Sequence, residues 1–595
     1  MNEVVASVSA DEMRQRIKRK SRLKGRQVDD VSLADVRALL GPVPGDGWRR
    51  DRLIEHLHLL NDEYRGLHER HLVALARETN VPMAEVFEVA TFYHHFKVLG
   101  DGDAGAAITV RVCDGLSCEL AGARDLLARL PALLGAQVRV IAAPCVGRCE
   151  QAPVAVVHQC PVPNADADAV VRAVRDGATQ HPRPDAGAAF EPHRLAHQAI
   201  AATAGQVAPP FTDYDTYCAA GGYTLAAHAI ANEHAGEGLI KALEDAGLRG
   251  LGGAGFPAGR KWRIVRDQPG PRLMAVNIDE GEPGTFKDRT YLERDPHRFL
   301  EGVLIAASVV GIDACYIYLR DEYHGCRELL SAELAKLQRS ATFKLPHIEL
   351  RRGAGAYICG EESAMIQSIE GRRGEPRLRP PYIAQVGLFG RPTLEHNFET
   401  LYWVRDIAER GAAWFAGFGR HGRKGLRSFS VSGRVNKPGV KLAPAGITIN
   451  ELIDEFCGGM QDGHQLYAYL PGGASGGVMP ARLADVPLDF DTLQPHGCFI
   501  GSAAVIVLSQ NDKARDAALN MMRFFAHESC GQCTPCRVGT DKAARLMEAP
   551  VWDQATLSDL SSVMADASIC GLGQAAPNPI LTVHKYFADE IGGSR

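Results

Sequence analysis

The pattern of apolar and polar positions divides the chain into regions of different secondary structure. Between about residues 33 and 100, apolar side chains recur at three- and four-residue steps, which predicts amphipathic helices. From Ile108 the pattern changes to short β-branched runs at 108–112, 138–142 and 154–157, with a helical stretch between the first two. A helical region followed by a compact α/β domain is therefore predicted. The recurring helical positions include Leu53, Leu57, Leu60 and Tyr64.

The remainder of the chain is predicted to contain three further domains after a linker. Pro, Ala and Gly dominate residues 177–210, a composition typical of linkers. The expected fold class is multidomain α/β. The predicted boundaries are a helical N-terminal region at 1–100, a small α/β domain at 101–180, a linker at 181–210, a large α/β domain at 211–420, a small β-rich module at 421–510 and a helical domain at 511–595.

Composition narrows the class of protein. The 595 residues are 46% hydrophobic and 23% charged, with a formal net charge of -5. No apolar run approaches the ~20 residues of a membrane-spanning helix, and no apolar segment typical of a signal peptide follows the N-terminus. We therefore expect a soluble, cytoplasmic protein without a membrane span.

A basic run at 14–26 opens the chain. A solvated helix or an arm that docks on a partner subunit is favoured over nucleic acid binding or a transit peptide, because no basic, aromatic-studded surface motif for nucleic acid follows. Its basic residues are Arg14, Arg16, Lys18, Arg19, Lys20, Arg22, Lys24 and Arg26.

The first cysteine group has two pairs, Cys113 with Cys118 and Cys145 with Cys149, each placed where a predicted strand ends. Loops at strand ends can fold both pairs around one metal centre. Four thiolates bind either a [2Fe–2S] cluster or a structural zinc ion. Zinc sites favour the tighter Cys-x2-Cys pairing, so the spacing favours iron–sulfur without excluding zinc.

The second group has three cysteines at two-residue gaps and a fourth further along the chain: Cys530, Cys533, Cys536 and Cys570. A tight triplet can hold three corners of a cube, and a distant fourth thiolate closes it. A [4Fe–4S] cluster is predicted here. A zinc ribbon is the alternative, but it usually needs two separated pairs.

Glycine-rich and acidic loops predict a dinucleotide site. Residues 247–257 carry five glycines, which let a backbone approach a phosphate or a flat ring closely. Two acidic loops follow, at 277–285 and 353–362. Their carboxylates can accept hydrogen bonds from ribose hydroxyls or flavin N–H groups. A carboxylate at the ribose edge would repel the 2′-phosphate of NADP and so select NAD.

These loops and the second cysteine group resemble those of the NADH-binding flavoprotein subunit of respiratory complex I, over roughly residues 200–595. The Cys113–Cys149 domain resembles the thioredoxin-like [2Fe–2S] subunit of the same enzyme. Their fusion in one chain resembles the diaphorase subunit of NAD-reducing [NiFe] hydrogenases. NAD-dependent formate dehydrogenases have similar flavoprotein subunits. The matching segments are Gly250–Pro257, Asn277–Thr285 and Gly355–Glu362.

The resemblance implies specific cofactor contacts, a Rossmann-like FMN/NAD domain and a ubiquitin-like module at 421–510 that serves as a spacer without chemistry of its own. The implied FMN contacts are Gly252, Gly253, Lys261, Asn277, Asp279, Glu280, Tyr357, Gly360, Glu361, Asn397 and Thr400. The implied NAD contacts are Phe256, Glu282, Glu362, Arg379 and Tyr382. Three positions depart from the usual family residues: Leu251 replaces Arg, Arg379 replaces Lys, and His396 replaces an Asn that would bond the flavin.

The implied activity is hydride transfer between NAD(H) and FMN, followed by single-electron transfer through the clusters to an iron–sulfur subunit and [NiFe] hydrogenase subunits. Flavin links the two because it takes electrons in pairs and passes them singly. Hydride transfer itself needs no side-chain acid or base. Two alternatives remain open: the input subunit of a formate dehydrogenase or complex I-like enzyme, and a non-catalytic scaffold with zinc at both cysteine groups.

Overall fold

The computed structural model describes residues 26–184, 186, 200–201, 210–232 and 236–592. The predicted docking arm, apart from Arg26, and most of the predicted linker at 181–210 lie outside the described residues. The described residues form two compact units, one built from those up to residue 92 together with 96–105 and the other from 93–95 and those from residue 106 onwards. Each unit is described by itself.

The first unit is helical, as its periodicity predicts. Asp29 caps the first helix by accepting a 2.8 Å hydrogen bond from the Ser32 amide. Leu57 and Leu60 are fully buried, in agreement with the three- and four-residue repeat. The elements are α1 (Asp30–Leu40), α2 (Leu53–Tyr64), β1 (Leu67–His68), α3 (Glu69–Thr79), α4 (Met83–Phe92) and β2 (Val98–Leu99), with β1 parallel to β2.

The second unit begins with a small α/β domain. Its sheet has the order β4-β3-β5-β6, with β3 parallel to β4 and the other pairs antiparallel. The β-branched runs at 108–112, 138–142 and 154–157 all fall on its strands, as predicted. The elements are β3 (Ile108–Cys113), α5 (Leu116–Leu120), α6 (Ala123–Leu134), β4 (Val138–Ala143), β5 (Ala155–Val157), β6 (Cys160–Val162) and α7 (Ala167–Arg175).

A larger α/β domain follows, in which the described strands form a parallel sheet of order β10-β9-β8-β11. Helices cover it, so its strands read as continuous apolar runs such as 273–276. Its elements begin after the short strand β7 (Ile200–Ala201). They are α8 (Tyr214–Ala219), α9 (Thr224–Ala231), α10 (Gly236–Ala246), α11 (Ala258–Arg266), β8 (Arg272–Ile278), α12 (Lys287–Leu292), α13 (Pro296–Val310), β9 (Ile312–Leu319), α14 (His324–Ser340), β10 (His347–Arg352), α15 (Glu362–Ile369), β11 (Thr393–Asn397), α16 (Phe398–Arg410) and α17 (Ala412–Ala416).

The next module is a mixed sheet with the order β15-β14-β16-β12-β13-β7. Its short helix begins with a capping box between Thr448 and Glu451. The elements are β12 (Leu426–Gly433), β13 (Gly439–Pro444), α18 (Ile449–Glu451), β14 (Leu466–Leu470), β15 (Met479–Pro480) and β16 (Ala504–Ser509).

The C-terminal region is helical, as predicted. Its elements are α19 (Ala514–Glu528), α20 (Thr534–Met547), α21 (Gln554–Ala567), α22 (Gly571–Ala575) and α23 (Asn578–Tyr586). The multidomain α/β class is confirmed, whereas the bounds of the six regions given above stay predictions. Within the described residues, no helix has both the length and the apolar character needed to cross a membrane.

Candidate functional site

The glycine-rich loop at 247–257 connects α10 to α11 and lies against the start of α16. The Leu251 amide donates a 2.9 Å hydrogen bond to the Thr400 hydroxyl, which fixes the loop against α16. A side chain at Gly252 would place its Cβ 2.8 Å from the Cβ of Asn397, so only glycine fits without displacement. The loop therefore presents bare backbone at this point, as its composition predicts.

The first acidic loop leaves the carboxyl end of β8, beside the end of its neighbour β11. Ligands of open parallel sheets bind at such carboxyl ends. Asn277 donates to the Gly360 carbonyl at 2.8 Å and accepts from the Asp279 amide at 3.0 Å. Glu280 accepts a 2.9 Å hydrogen bond from the Asp288 amide at the start of α12. These bonds fix the loop from both sides.

The second acidic loop joins the first through Tyr357. The Tyr357 hydroxyl donates to Glu282, and its amide donates to the Glu528 carboxylate at 2.9 Å. Glu361 caps α15 by accepting from the Ser363 amide at 2.9 Å. The loop is thereby tied both to the sheet and to the end of α19.

These three loops enclose one cleft, which brings most of the predicted FMN contacts together. Its wall also includes Glu282, which the resemblance assigns to NAD. The predicted residues that line the cleft are Gly252, Gly253, Asn277, Asp279, Glu280, Glu282, Tyr357, Gly360, Glu361 and Asn397.

The other predicted contacts lie behind or beside this cleft. Thr400 is fully buried under the glycine loop. The Lys261 ammonium donates to the carbonyl and the carboxylate of Glu395, both at 2.7 Å. Arg379 pairs with Glu362 at 2.9 Å. Phe256 and Tyr382 are exposed, at 40% and 56% of their surface.

His396 does not face the cleft. Its side chain is buried, and its Nε2 accepts a 2.8 Å hydrogen bond from the Trp262 indole. Burial, together with the charge of Lys261, holds its pKa well below the usual range, so the ring is neutral. His396 therefore packs against Trp262 and does not contribute a contact to the cleft.

The module at 421–510 contributes to the cleft wall, which corrects its interpretation as a spacer. Ser475 donates to Glu282 twice, through its amide at 2.9 Å and its hydroxyl at 2.7 Å. Its carbonyl accepts a 2.8 Å hydrogen bond from Asn578 of α23. The glycine-rich run at 472–477 was the available sequence signal. Three further lining residues, Gly281, Thr285 and Ile358, fall within the matching segments. The lining residues that sequence reasoning missed are Lys287, Asp288, Ser475, Phe499, Gly501, Ser502, Gly571, Leu572 and Ala575.

Burial controls the charge of the cleft acids. It raises the pKa of Asp279 well above the usual range, raises that of Glu280 to about 7 and also raises that of Glu282. Asp279 Oδ2 is buried and has no hydrogen-bond partner among the described residues. A buried polar atom of this kind calls for a partner, and a bound ligand in the cleft would supply one.

The first cysteine group lies in one buried cluster. Cys113 ends β3, Cys118 lies in α5, and Cys145 and Cys149 flank the turn after β4. The sulfur atoms of Cys145 and Cys149 are 3.3 Å apart, and the Cys113 thiol interacts with those of Cys118 and Cys145. The amide of Gly147 donates to Cys145 Sγ at 3.4 Å. The four sulfurs are therefore placed to share one metal centre.

The second cysteine group also converges. Cys530 follows α19, Cys533 and Cys536 lie at the start of α20, and Cys570 precedes α22. Burial raises the pKa of the Cys536 and Cys570 thiols, and nearby thiols add to the rise, Cys530 and Cys533 for Cys536 and Cys530 for Cys570. Gly571, the neighbour of Cys570, lines the cleft. One ligand of this centre is thus adjacent in sequence to the cleft wall.

Four protein families match consecutive parts of the chain. They are a thioredoxin-like [2Fe–2S] ferredoxin at residues 45–177, the Nuo51 FMN-binding domain at 243–406, an SLBB domain at 428–479 and the NADH-ubiquinone oxidoreductase-F iron–sulfur binding region at 516–593. The matches support iron–sulfur at both cysteine groups over zinc. They also identify FMN as the cofactor of the central domain.

Curated relatives match about three fifths of the chain. The second F-type subunit of NADH-quinone oxidoreductase from Rhizobium meliloti (strain 1021) is 39% identical over 63% of this chain and 93% of its own length. The mitochondrial NADH dehydrogenase [ubiquinone] flavoprotein 1 of Dictyostelium discoideum is 40% identical over 59% of this chain and 78% of its own length.

A solved structure matches nearly the whole chain. A chain of NAD+-reducing [NiFe]-hydrogenase, in a crystal structure of the H2-reduced state, superimposes with a TM-score of 0.77 and 31% identity over 91% of this chain and 93% of its own length. The chain accordingly belongs to the family of NADH:FMN flavoproteins typified by the F-type subunits of NADH-quinone oxidoreductase, and it is an NADH-oxidising FMN and iron–sulfur subunit of the kind found in complex I-like enzymes and NAD-reducing hydrogenases.

Proposed function

We propose that this chain is the diaphorase subunit of an NAD-reducing [NiFe] hydrogenase. The observation that carries the proposal is the extent of the match: the hydrogenase chain corresponds to 91% of this chain, whereas the Rhizobium meliloti relative corresponds to 63%. A separate family match, the thioredoxin-like [2Fe–2S] ferredoxin at residues 45–177, covers the first cysteine group. The partners of this chain are then an iron–sulfur electron-transfer subunit and the [NiFe] hydrogenase subunits, in the cytoplasm, where a reducing environment preserves thiolate ligands.

The cleft residues fit FMN. The backbone at Gly252 and Gly253 approaches a ligand without side chains, and Asn277, Glu361 and Asn397 supply polar groups. The unpartnered oxygen of Asp279 adds a buried hydrogen-bonding site. Glu280, Tyr357 and Gly360 complete the assigned contacts, while Lys261 and Thr400 act by holding the loops.

NAD(H) is assigned to the outer part of the same site. Phe256 and Tyr382 present exposed rings that can flank an adenine, and the Arg379–Glu362 pair offers charge and hydrogen bonds to the nucleotide. Glu282 lines the cleft and is held by Tyr357 and Ser475. These residues bind and orient the dinucleotide and exclude water, and none of them has to transfer a proton.

Electrons are proposed to leave through the second cysteine group. When bound, FMN accepts a hydride and releases electrons singly, which iron–sulfur clusters require. Cys530, Cys533, Cys536 and Cys570 would hold the [4Fe–4S] cluster, and the place of Gly571, the neighbour of Cys570, in the cleft wall supports electron transfer between the two sites. Cys113, Cys118, Cys145 and Cys149 would hold the [2Fe–2S] cluster.

Metal analysis of the purified assembly tests the partner assignment. We expect nickel to co-purify with the chain; molybdenum in place of nickel would instead identify a formate dehydrogenase. The isolated chain should contain flavin, iron and sulfide and reduce ferricyanide with NADH. A colourless preparation with stoichiometric zinc would refute both enzymatic assignments.

A further inference from the structure

The ligand loop of the first cysteine group packs directly against the acidic loop of the cleft. Gly147, in the turn between Cys145 and Cys149, has a positive φ of 69° and lies so close to Tyr323 that a Cβ would sit 2.3 Å from the tyrosine oxygen. The Tyr323 hydroxyl donates to the Glu280 carboxylate at 2.8 Å. One tyrosine therefore contacts both cofactor sites.

Arg320, which follows β9, joins the same two sites through its guanidinium. One nitrogen, Nη2, donates to the Cys145 carbonyl at 2.7 Å, and the other, Nη1, donates to the Glu280 carbonyl. Its plane lies over the Tyr323 ring, 5.1 Å from the centroid. The residue is 4% exposed. A buried cation is thus held between a cluster ligand and a residue of the flavin cleft.

The charges around Arg320 differ from those around the two other buried arginines at this loop, Arg289 and Arg148, of which Arg148 lies within the loop and pairs with Glu293 at 3.1 Å. Arg289 donates to the Gly147 carbonyl at 2.9 Å, but it is paired with two buried carboxylates, Glu150 and Glu293. Arg320 has one carboxylate partner, Glu322 at 3.0 Å, whose side chain is 23% exposed and partly screened by solvent. The two buried carboxylates balance Arg148 and Arg289 together, so Arg320 is the cation whose positive charge is least compensated near the cluster ligands.

We propose that Arg320 is a positioning residue that raises the reduction potential of the [2Fe–2S] cluster by holding an undercompensated positive charge against the Cys145 end of its ligand loop. Reduction adds one electron, supplied by NADH through the flavin, to the oxidised cluster. A nearby cation in a low-dielectric interior stabilises the added negative charge. No bond is made or broken in this step.

Variants of opposite sign test the proposal on the complete enzyme. The cluster is titrated electrochemically with mediators, and its reduced form is followed by electron paramagnetic resonance. At the wild-type midpoint, Arg320→Gln should lower the ratio of reduced to oxidised cluster about tenfold, equivalent to 59 mV for one electron. Glu322→Gln should raise the ratio several-fold, because it removes the opposing charge. Arg320→Lys should stay within about threefold of wild type.

Two controls separate this effect from general damage. The [4Fe–4S] cluster in the same samples should keep its potential. Arg351→Gln removes another buried arginine that donates to a backbone carbonyl, that of Ile369 at 2.9 Å, and it should leave the [2Fe–2S] potential unchanged.

The inference rests on the proposed assignment of the [2Fe–2S] cluster, and the wild-type spectrum tests that assignment separately. Absence of a [2Fe–2S] signal from wild type would refute the assignment and the inference together. With the signal present, an unchanged potential in Arg320→Gln, or a downward shift in Glu322→Gln, would overturn the role of Arg320 alone. If Arg320→Gln does not retain its cluster, an upward shift of the potential in Glu322→Gln supports the role of Arg320, and a downward shift refutes it.

Discussion

Replacing Ser475 with alanine should weaken NADH binding, although this residue lies 193 positions along the chain from Glu282. The substitution removes the 2.7 Å hydroxyl bond to Glu282 and leaves the 2.9 Å amide bond in place. A hydrogen bond to a charged group contributes about 1.5–3 kcal/mol. Because the amide and Tyr357 still satisfy the carboxylate, we expect the lower end of that range, or about a tenfold rise in the KM for NADH.

The pH dependence of this effect follows from the pKa of Glu282. Burial already raises that pKa, and the bonds from Tyr357 and Ser475 oppose the rise. Losing one bond to the ionised form raises the pKa further, so less carboxylate is ionised at a given pH. The loss of affinity should therefore be largest at low pH and should shrink as the pH increases.

The assay measures NADH:ferricyanide reductase activity, with kcat and KM determined separately and flavin and iron content measured in each preparation. Ser509→Ala is the matched control, since Ser509 donates its amide and hydroxyl to Asp512, at 2.9 and 3.0 Å, in the same module. It should leave KM unchanged. An unaltered KM in Ser475→Ala at full flavin and iron occupancy would show that Glu282 does not contact NADH.

Three other outcomes are expected. Gly252→Ala should lower FMN occupancy while iron content stays constant, because its Cβ would clash with Asn397 at the end of β11. Gly238→Ala, at an open helical position, should leave both FMN occupancy and iron content unchanged. Cys570→Ser should abolish the [4Fe–4S] signal and spare the [2Fe–2S] signal, whereas Cys218→Ser should affect neither. Burial lowers the pKa of His56 to about 4, so the unfolded state binds the proton more tightly than the folded state does. The first unit should therefore lose about 2 kcal/mol of stability between pH 7 and 5. Hydrogen exchange of residues 53–64 should show this loss in wild type but not in His56→Phe.

The metal centres and much of the cleft were predictable because their signals are local. The spacing of Cys530, Cys533 and Cys536 restricts them to one turn and a helix start, and glycine-rich backbone is needed wherever a cofactor approaches the chain closely. Each of these predictions depends on a short segment.

The contributions from distant segments were not predictable in the same way. Ser475 and Leu572 carry no chemical signature of their own, and their place in the cleft depends on how three domains pack. The link from Arg320 to Cys145 spans 175 positions and uses a backbone carbonyl, which no residue type encodes. His396 is the opposite case. The resemblance places a flavin contact at this position, whereas in the structure its side chain is buried and bonded to Trp262.

The acidity of the cleft conflicts at first sight with binding an anionic flavin phosphate and a dinucleotide, and burial resolves the conflict. Fixed negative charges at Asp279 and Glu280 would repel both ligands. Because burial raises the pKa of each, these groups hold protons near neutral pH far more readily than exposed carboxyls do. A protonated carboxyl can donate as well as accept a hydrogen bond. Asp279 and a fraction of Glu280 therefore act as neutral hydrogen-bonding groups, which lessens the repulsion that an anionic cofactor would meet at this loop.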